Sequence, residues 1–324
     1  MRFDVACAGE ILVDVIPTQA GFYREGMLFE VHFGGAPANV AVGVARLGVS
    51  SAFIGAVGND LFGEMLLKYL EDMGVYTGFV VRKKARTSLA FVVAKQDGER
   101  DFFFYREPWV STADAQLEEQ DIDLDAIKKV KVLHVSGVSL SQPPLSNTII
   151  NMMKTVFESG GQVSLDPNYR SDIWLNEITR AKTMFRNALK YSTLLMLGYD
   201  EMSPLLGSED YRKVADKLFS DERHLRYVAI RLGAKGAYVA SRNGEEVQVD
   251  AFRVPVVDTT GAGDAWAAGF LTFALCEKRD LRESVLLANA VAAIKCTRRG
   301  ATAGMPTREE LKAFLSNRSI SIDL

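Results

Sequence analysis

VPVVDTTGAGDAWAAGF, residues 254–270, is the stretch from which we interpret the rest of the chain. Its apolar start, Val254–Val257, predicts a strand, and the small residues after the glycines predict a helix that begins at Ala265. Gly261 and Gly263 can adopt backbone angles that other residues avoid, so their loop can turn several N–H groups toward one point. The pattern therefore predicts an anion-binding loop between a strand and a helix.

Asp264 follows this loop directly, at the end of the predicted helix where N–H groups are free and the dipole is positive. We expect its carboxylate to stay ionised and exposed. A carboxylate beside an anion site suits transfer of a phosphoryl group to a hydroxyl, because it can take the hydroxyl proton while the N–H groups stabilise the phosphoryl oxygens. Local physics leaves an equal alternative, since aspartate is also a common helix N-cap.

The composition is that of an ordinary globular protein. The chain has 324 residues, of which 48% are hydrophobic and 24% charged, and a formal net charge of -3. Because there is no basic surplus, we expect no nucleic-acid or membrane partner. Acidic residues interrupt the N-terminal apolar run, which argues against a secretory signal and predicts a cytoplasmic location. The 3 cysteines and 3 histidines have no paired spacing, which argues against disulfides and structural zinc.

Apolar runs alternate with helical segments along most of the chain. This alternation predicts a mostly parallel sheet with helices on both faces. The predicted strands are 5–16, 51–57, 130–136, 162–166, 192–197 and 227–232, and the predicted helices include 40–48, 60–73, 144–158 and 281–297. A Walker A pattern is absent, and Trp266 stands where a dinucleotide fingerprint needs glycine or alanine, so nucleotide sites of those two kinds are disfavoured.

Two further β-rich runs, 87–94 and 100–105, flank a predicted Asp97-Gly98 turn. A hairpin inserted into a parallel α/β fold predicts a side sheet or lid. The polar-aromatic and weakly helical segment 21–33 is expected to contribute to it.

Polar residues follow several of the predicted strands. Asp14 lies near the end of the first, and Asp166-Pro-Asn168-Tyr-Arg170 follows another. In open α/β sheets the carboxyl ends of strands form the ligand crevice, so Asp14 could accept hydrogen bonds from two adjacent hydroxyls. Pro167 restricts the residue before it and directs Asn168 and Arg170 toward that crevice. Capping of a strand end and a surface turn are the alternatives for these two places.

Four sequence strings resemble motifs of one protein family. They are GGAPANVA at 34–41, FYR at 104–106, DPNYR at 166–170 and DTTGAGD at 258–264. They resemble PfkB-type, ribokinase-like carbohydrate kinases, and most of all the fructokinases. The resemblance implies a ribokinase-like α/β fold with a small β-sheet lid. We expect a single domain over 1–324, with the lid formed by about 15–33 and 86–108.

The same resemblance assigns roles to individual residues. Asp264 would be the catalytic base, and the N–H groups of Gly261, Ala262 and Gly263 would form the anion hole. The residues expected to bind the sugar or lie near the reacting groups are Asp14, Gly34, Gly35, Asn39, Arg106, Asn168 and Arg170. Those expected on the nucleotide side are Glu201, Arg231, Gly233, Gly236 and Asn289, although a structurally satisfied core residue is an alternative for Asn289. Glu201 would organise hydrated Mg²⁺, and Asp258 would be the side-chain ligand of a monovalent cation such as K⁺.

The implied activity is transfer of a phosphoryl group from ATP to the primary hydroxyl of a small sugar, with fructose giving fructose 6-phosphate as first choice. A 2-keto-3-deoxygluconate kinase is the main alternative, and Phe104 disfavours it because those enzymes often carry tyrosine there. A ribokinase or nucleoside kinase and a catalytically silent sugar-binding regulator are further alternatives. An exposed lid edge makes a homodimer through the lid an expectation as well.

Overall fold

A computed structural model describes residues 3–19, 21–94 and 100–324 of the protein. Its strands are β1 (Val5–Ala8), β2 (Leu12–Pro17), β3 (Phe29–Gly34), β4 (Ser51–Gly58), β5 (Tyr76–Lys83), β6 (Ser88–Ala94), β7 (Arg100–Tyr105), β8 (Val132–Ser136), β9 (Gln162–Asp166), β10 (Leu194–Gly198), β11 (Tyr227–Arg231), β12 (Ala237–Ser241) and β13 (Glu246–Val249). The large sheet has the order β13-β12-β11-β10-β9-β8-β1-β4-β5. It is parallel from β5 to β11, and β12 and β13 pair antiparallel at one edge.

Helices cover both faces of this sheet. They are α1 (Ala36–Arg46), α2 (Leu61–Asp72), α3 (Leu124–Ile127), α4 (Leu145–Glu158), α5 (Ile178–Leu189), α6 (Tyr199–Leu206), α7 (Tyr211–Asp221), α8 (Ala262–Phe270), α9 (Leu281–Cys296) and α10 (Arg308–Ser316). Every helix in the described part of the chain is too short or too polar to cross a lipid bilayer.

The central strand β1 shows how the two cores form. Because side chains alternate along a strand, Ala6 and Ala8 face one side and Val5 and Cys7 the other. The first side packs against α4 to α7, and the second against α1, α2, α8 and α9. The predicted fold class, a mostly parallel sheet between two helical layers, is confirmed.

The prediction of one continuous strand over 5–16 is wrong. The chain leaves the large sheet after Ala8 and re-forms a strand, β2, in a second sheet. Gly9 makes this possible with φ 141, and its neighbour Glu10 donates its backbone N–H to Ser139 Oγ at 3.0 Å instead of to a strand. Asp14 therefore lies in the small sheet and not at the end of a core strand.

The small sheet has the order β3-β2-β6-β7. β6 and β7 pair antiparallel, as the hairpin prediction required, and the predicted Asp97-Gly98 turn lies outside the described residues. β2 pairs antiparallel with β3 and parallel with β6. Segment 21–33 does contribute to this sheet, but through strand β3 and not through a helix.

The loop before α8 also differs from its prediction. Val254–Val257 forms no strand; Val256 and Val257 are 63% and 60% exposed, and the N–H of Val257 donates to Cys296 O at 2.8 Å. The backbone there pairs with the end of α9, so no neighbouring strand is available to it. The helix begins at Ala262 and not at Ala265, which places Asp264 inside its first turn.

Candidate active site

The candidate active site lies where the first turns of α1 and α8 meet. Asn39 of α1 donates from Nδ2 to Asp264 Oδ2 at 2.8 Å, across 225 residues of sequence. Asn39 is 5% exposed, and its buried Oδ1 has no hydrogen-bond partner among the residues that the structure describes. A buried acceptor without a partner is costly, so this oxygen is placed to receive a hydrogen bond from a ligand. The structure thus brings together the two motifs predicted to bind sugar and to catalyse transfer.

Asp264 is less exposed and less acidic than expected. It is half-buried, and burial is the largest cause that raises its pKa to about 6. The hydrogen bond from Asn39 opposes this rise in pKa, and the negative charge of Asp166 adds to it. The expectation of an exposed carboxylate is therefore wrong. A carboxylate with a pKa near 6 is mostly ionised at neutral pH and still accepts a proton more readily than an ordinary aspartate.

The glycine loop forms the N-terminus of α8. Gly261 has φ 74, and a Cβ there would come within 2.8 Å of Ala301 Cβ, so a side chain would be both strained and crowded. Ala262 differs from its prediction, because its N–H donates to Thr259 O at 3.0 Å and is already used within the loop. The predicted anion hole is thereby reduced to the amides of Gly261 and Gly263, at the positive end of the helix dipole.

Arg231 supports this loop from the end of β11. Its Nη1 and Nη2 donate to Asp166 Oδ2 and Oδ1 at 2.5 and 2.9 Å, in a bidentate pair. Nη1 also donates to Gly263 O at 3.2 Å, and Nη2 lies 3.8 Å from Glu201 Oε2. Arg231, predicted on the nucleotide side, therefore ties the glycine loop to the carboxyl ends of two other strands. Sequence reasoning missed Asp166 as a site residue, although it noted the motif that begins there.

Glu201 joins the ends of β9 and β10. Its Oε1 accepts from Tyr169 N and its Oε2 from Gly198 N, both at 2.6 Å. Burial, and next the charge of Asp166, raise the pKa of Glu201 above its ordinary value, and Arg231 opposes that rise. Within the described ranges, no group of three or more His, Cys, Asp or Glu side chains could hold a metal ion. The water-mediated role of Glu201 toward magnesium stays a prediction.

The small sheet contributes Asp14, whose carboxylate is close enough to Asp264 and Asp258 to feel their negative charges. It is 7% exposed, and burial, followed by the negative charges of Asp264 and Asp258, raises its pKa to about 7. A Cβ at Gly34 would lie 2.6 Å from Asp14 Oδ2, so only glycine fits beside this carboxylate. Gly35 has φ 103 and passes equally close to the backbone of Glu10. The two predicted glycines therefore let the chain turn tightly around the sugar side of the site.

Arg106 is held rigidly next to this side. Its side chain and that of Asp114 are each 1% exposed, and Nε donates to Asp114 Oδ2 at 2.7 Å. Its Nη1 is buried, and no residue in the described ranges accepts a hydrogen bond from it. Burial raises the pKa of Glu10, and the positive charge of Arg106 opposes that rise, so this acid faces the same guanidinium. Sequence reasoning missed Asp114 and Glu10, whose importance appears only once Arg106 is known to be buried.

Asp258 lies at the start of the glycine loop and is 2% exposed. Its Oδ1 accepts from Thr260 N at 2.8 Å and its Oδ2 from Gly300 N at 2.9 Å. Burial acts to raise the pKa of Asp258, but these amides and the charge of Lys295 outweigh it, so the pKa is below its ordinary value. Lys295 Nζ donates to Asp258 O at 2.6 Å. No motif of the sequence indicated a lysine at this place.

The other predicted residues have different surroundings. Asn168 has φ 40 and donates its N–H to Asp166 Oδ1 at 3.2 Å. Arg170 is exposed, and its charge lowers the pKa of Asp264, which places it near the reacting groups. Gly233 and Gly236 have φ 60 and 90 in the turn between β11 and β12.

Asn289 uses its side chain for internal hydrogen bonds. Oδ1 accepts from Trp266 Nε1 at 2.8 Å, and Nδ2 donates to the carbonyls of Val249 and Asp250 at 2.9 and 3.1 Å. The residue is 4% exposed. These contacts support the alternative of a satisfied core residue, and its role beside a nucleotide stays a prediction.

A helix N-terminus, a carboxylate in its first turn and buried polar side chains beside them are the kinds of group that phosphoryl transfer to a hydroxyl requires. Comparison with known proteins gives the family: residues 2–308 match the pfkB family carbohydrate kinase. The chain belongs to this family, as the sequence motifs indicated. It is 37% identical to the fructokinase of Solanum tuberosum over 319 residues, which cover 95% of this chain and 94% of that one.

Solved structures show the same likeness. A fructokinase with bound ATP from Xylella fastidiosa has a TM-score of 0.85 and 28% identity, and the match covers 97% of this chain and 98% of that one. A fructokinase double mutant from Vibrio cholerae O395, in a fructose-, ADP- and potassium-bound form, has a TM-score of 0.84 and 31% identity, covering 97% and 99%.

Proposed function

We propose that the protein transfers the γ-phosphoryl group of ATP to the primary hydroxyl of fructose, giving fructose 6-phosphate and ADP. The observation that carries this proposal is the 2.8 Å hydrogen bond between Asn39 Nδ2 and Asp264 Oδ2. It joins a buried, polar sugar-side pocket to a base at an anion-binding helix end. The family match and the fructokinase relatives support the same reaction.

In the proposed mechanism, Asp264 accepts the proton of the sugar hydroxymethyl group. The hydroxyl oxygen then forms a bond to the γ-phosphorus while the bond from that phosphorus to the bridging oxygen of ADP breaks. Because the transition state is largely dissociative, the proton can be transferred late, and a base with a pKa of about 6 is sufficient. Asn39 orients the carboxylate through Nδ2 and leaves Oδ1 for a sugar hydroxyl.

Groups around the N-terminus of α8 would stabilise the negative charge on the transferred phosphoryl group. The helix would orient the amides of Gly261 and Gly263 toward the phosphoryl oxygens. Arg231 Nη1 donates a hydrogen bond to the Gly263 carbonyl and so fixes the loop. Arg170, exposed beside Asp264, is placed to contact phosphate oxygens. We propose that ATP binds together with Mg²⁺, which neutralises phosphate charge when bound, and that Glu201 orients its water ligands.

The sugar side favours a neutral substrate. Asp114 already neutralises Arg106, so the free Nη1 donor suits a hydroxyl better than a carboxylate. Fructose is therefore preferred to 2-keto-3-deoxygluconate. Asp14 and Asn39 supply acceptors that two further hydroxyls require.

The small sheet is proposed as a lid that closes over the sugar and excludes water, which would otherwise accept the phosphoryl group. A single domain over 1–324, a homodimer through this sheet and a cytoplasmic location stay predictions.

A screen for ADP release tests the proposal. The protein is incubated with ATP and magnesium and with fructose, 2-keto-3-deoxygluconate, ribose or nucleosides in parallel. We expect the largest kcat/KM with fructose and a product phosphorylated at the primary hydroxyl. Preference for 2-keto-3-deoxygluconate or for nucleosides would overturn the assigned substrate, and binding of fructose without ADP release would favour the silent sugar-binding alternative.

A further inference from the structure

The unexpected group beside the glycine loop is the ammonium of Lys295. Lys295 lies on α9 and is 0% exposed. Its Nζ donates to the backbone carbonyl of Asp258 at 2.6 Å and lies 4.0 Å from Asp258 Oδ1. A buried ammonium is costly unless oxygen atoms surround it, so this position is built for a positive charge.

The Lys295 ammonium is connected to the glycine loop through Asp258. Asp258 opens the loop that continues through Thr260 to Gly261, and its carboxylate is fixed by the amides of Thr260 and Gly300. A cation that binds the Asp258 carbonyl therefore holds the start of the loop that carries the Gly261 amide. It also adds positive charge near the place where phosphoryl oxygens would lie.

The site does not fit the monovalent cation that the sequence predicted at Asp258. Such an ion binds through several oxygens, but both carboxylate oxygens of Asp258 already accept a backbone amide, from Thr260 and from Gly300. Lys295 Nζ donates to the Asp258 carbonyl and lies 4.0 Å from Oδ1, so a positive charge is already present there. An ammonium group carries the same single charge as K⁺ and is similar to it in size. The positive charge predicted beside Asp258 is therefore present, but a lysine side chain supplies it in place of a bound ion.

We propose that Lys295 is a positioning residue that replaces the monovalent cation, so that this enzyme works without K⁺. The inference rests on the proposed phosphotransfer function for its kinetic part only. The Vibrio cholerae relative was solved with a potassium ion bound, and the two proteins would thus differ in whether the cation is exchangeable.

The first test uses the unaltered protein. Phosphotransfer is measured in potassium chloride and in tetramethylammonium chloride at equal ionic strength, with magnesium held constant. We expect the same kcat and KM in both salts. Strong activation by potassium that saturates with its concentration would overturn the proposal.

The second test removes the ammonium. Lys295→Ala is expected to lower kcat by about 100-fold in tetramethylammonium chloride, because the loop loses its anchor. Potassium should restore a large part of this loss, which a purely structural role of Lys295 would not allow. Lys312→Met, at an exposed position of α10, serves as the matched control and should respond to neither salt.

Thermal unfolding gives a readout that does not depend on activity. Potassium should leave the Tm of the unaltered protein unchanged and raise that of Lys295→Ala by about 2 °C or more, because only the variant has a cation site to fill. If the protein phosphorylates none of the tested substrates, the proposed function fails while the unfolding data still test Lys295. If both proteins gain the same Tm from potassium, or the variant gains none, the replacement of K⁺ by Lys295 is wrong.

Discussion

The two halves of the candidate site, on either side of Asp264, differ in how completely their polar groups are satisfied within the chain. On the phosphate half, Arg231 and Asp258 are held by charged or hydrogen-bonding neighbours at close distances. On the sugar half, Asn39 Oδ1 and Arg106 Nη1 are buried and have no partner in the part of the chain that the structure describes. The phosphate half is therefore already ordered by contacts within the chain. The sugar half has buried hydrogen-bonding groups that a ligand could satisfy.

This difference fits the chemistry of phosphoryl transfer. The charge that develops on the phosphoryl oxygens needs groups that are already oriented, since reorganising them during the reaction would add to the barrier. Sugar recognition instead depends on hydroxyls that complete unsatisfied buried groups, so a compound lacking them is strongly rejected. The comparison predicts that changes in the two halves will separate into effects on kcat and on KM.

The largest expected effect is loss of the base between the two halves. Asp264→Asn should lower kcat by about 100- to 10,000-fold, because the carboxamide cannot accept the hydroxyl proton. Fructose affinity, measured by calorimetry, should change little. Asp221→Asn, at the exposed end of α7, is the matched control. Undiminished turnover in Asp264→Asn would disprove the base mechanism.

On the phosphate half, Arg231→Met tests whether the internal charges depend on one another. Removal of the guanidinium leaves Asp166 and Glu201 buried without their cation, which should lower the free energy of unfolding by about 3–5 kcal/mol. Urea denaturation measures this loss. Arg82→Met breaks the surface pair with Glu64, with side chains 39% and 62% exposed, and should cost about 0–1 kcal/mol. Equal losses for the two variants would contradict the predicted dependence.

On the sugar half, Arg106→Lys keeps the charge beside Asp114 but removes the second arm of the guanidinium. We expect the KM for fructose to rise by about 10- to 100-fold, as loss of one charged hydrogen bond implies, while the KM for ATP stays unchanged. Initial rates with each substrate varied in turn separate the two constants. Arg24→Lys, elsewhere in the small-sheet region, is the control. A rise confined to the KM for ATP would reverse our assignment of the halves.

The smallest expected effect concerns pH. Because Asp264 has a pKa of about 6 and must be ionised to act as a base, kcat/KM for fructose should fall as pH decreases through 6. The fall between pH 7 and pH 5 should be about tenfold from this group alone. Asp14, with a pKa of about 7, should steepen it. Rates that recover on return to neutral pH would exclude unfolding, and a flat profile down to pH 5 would show that neither carboxylate titrates as inferred.

Much of the site could be predicted because its residues lie in short motifs. Gly261 and Asp264 are neighbours along one helix turn, and Gly34, Gly35 and Asn39 lie within six positions. Local geometry alone then determines most of their placement. The break between β1 and β2 could not be predicted from the apolar run, because both strands are buried and only their partners differ.

Partners distant in sequence were beyond prediction for a related reason. Lys295 lies near the C-terminal end of α9, and Asp114 lies between β7 and α3; no motif of the sequence assigned a role to either residue. The role of Lys295 depends on its contact with Asp258, and that of Asp114 on its contact with Arg106. No periodicity or spacing rule reports such contacts.

The sequence by itself determined the layered α/β fold and the position of Asp264 beside a glycine loop, because these depend on hydrophobic pattern and on backbone freedom within a few residues. The tertiary structure alone decided the raised pKa of Asp264, the closed charge network behind the loop and the lysine at the cation position. Burial and electrostatic interaction depend on distance in space, and only the folded chain brings Asn39, Arg231 and Lys295 to the same loop.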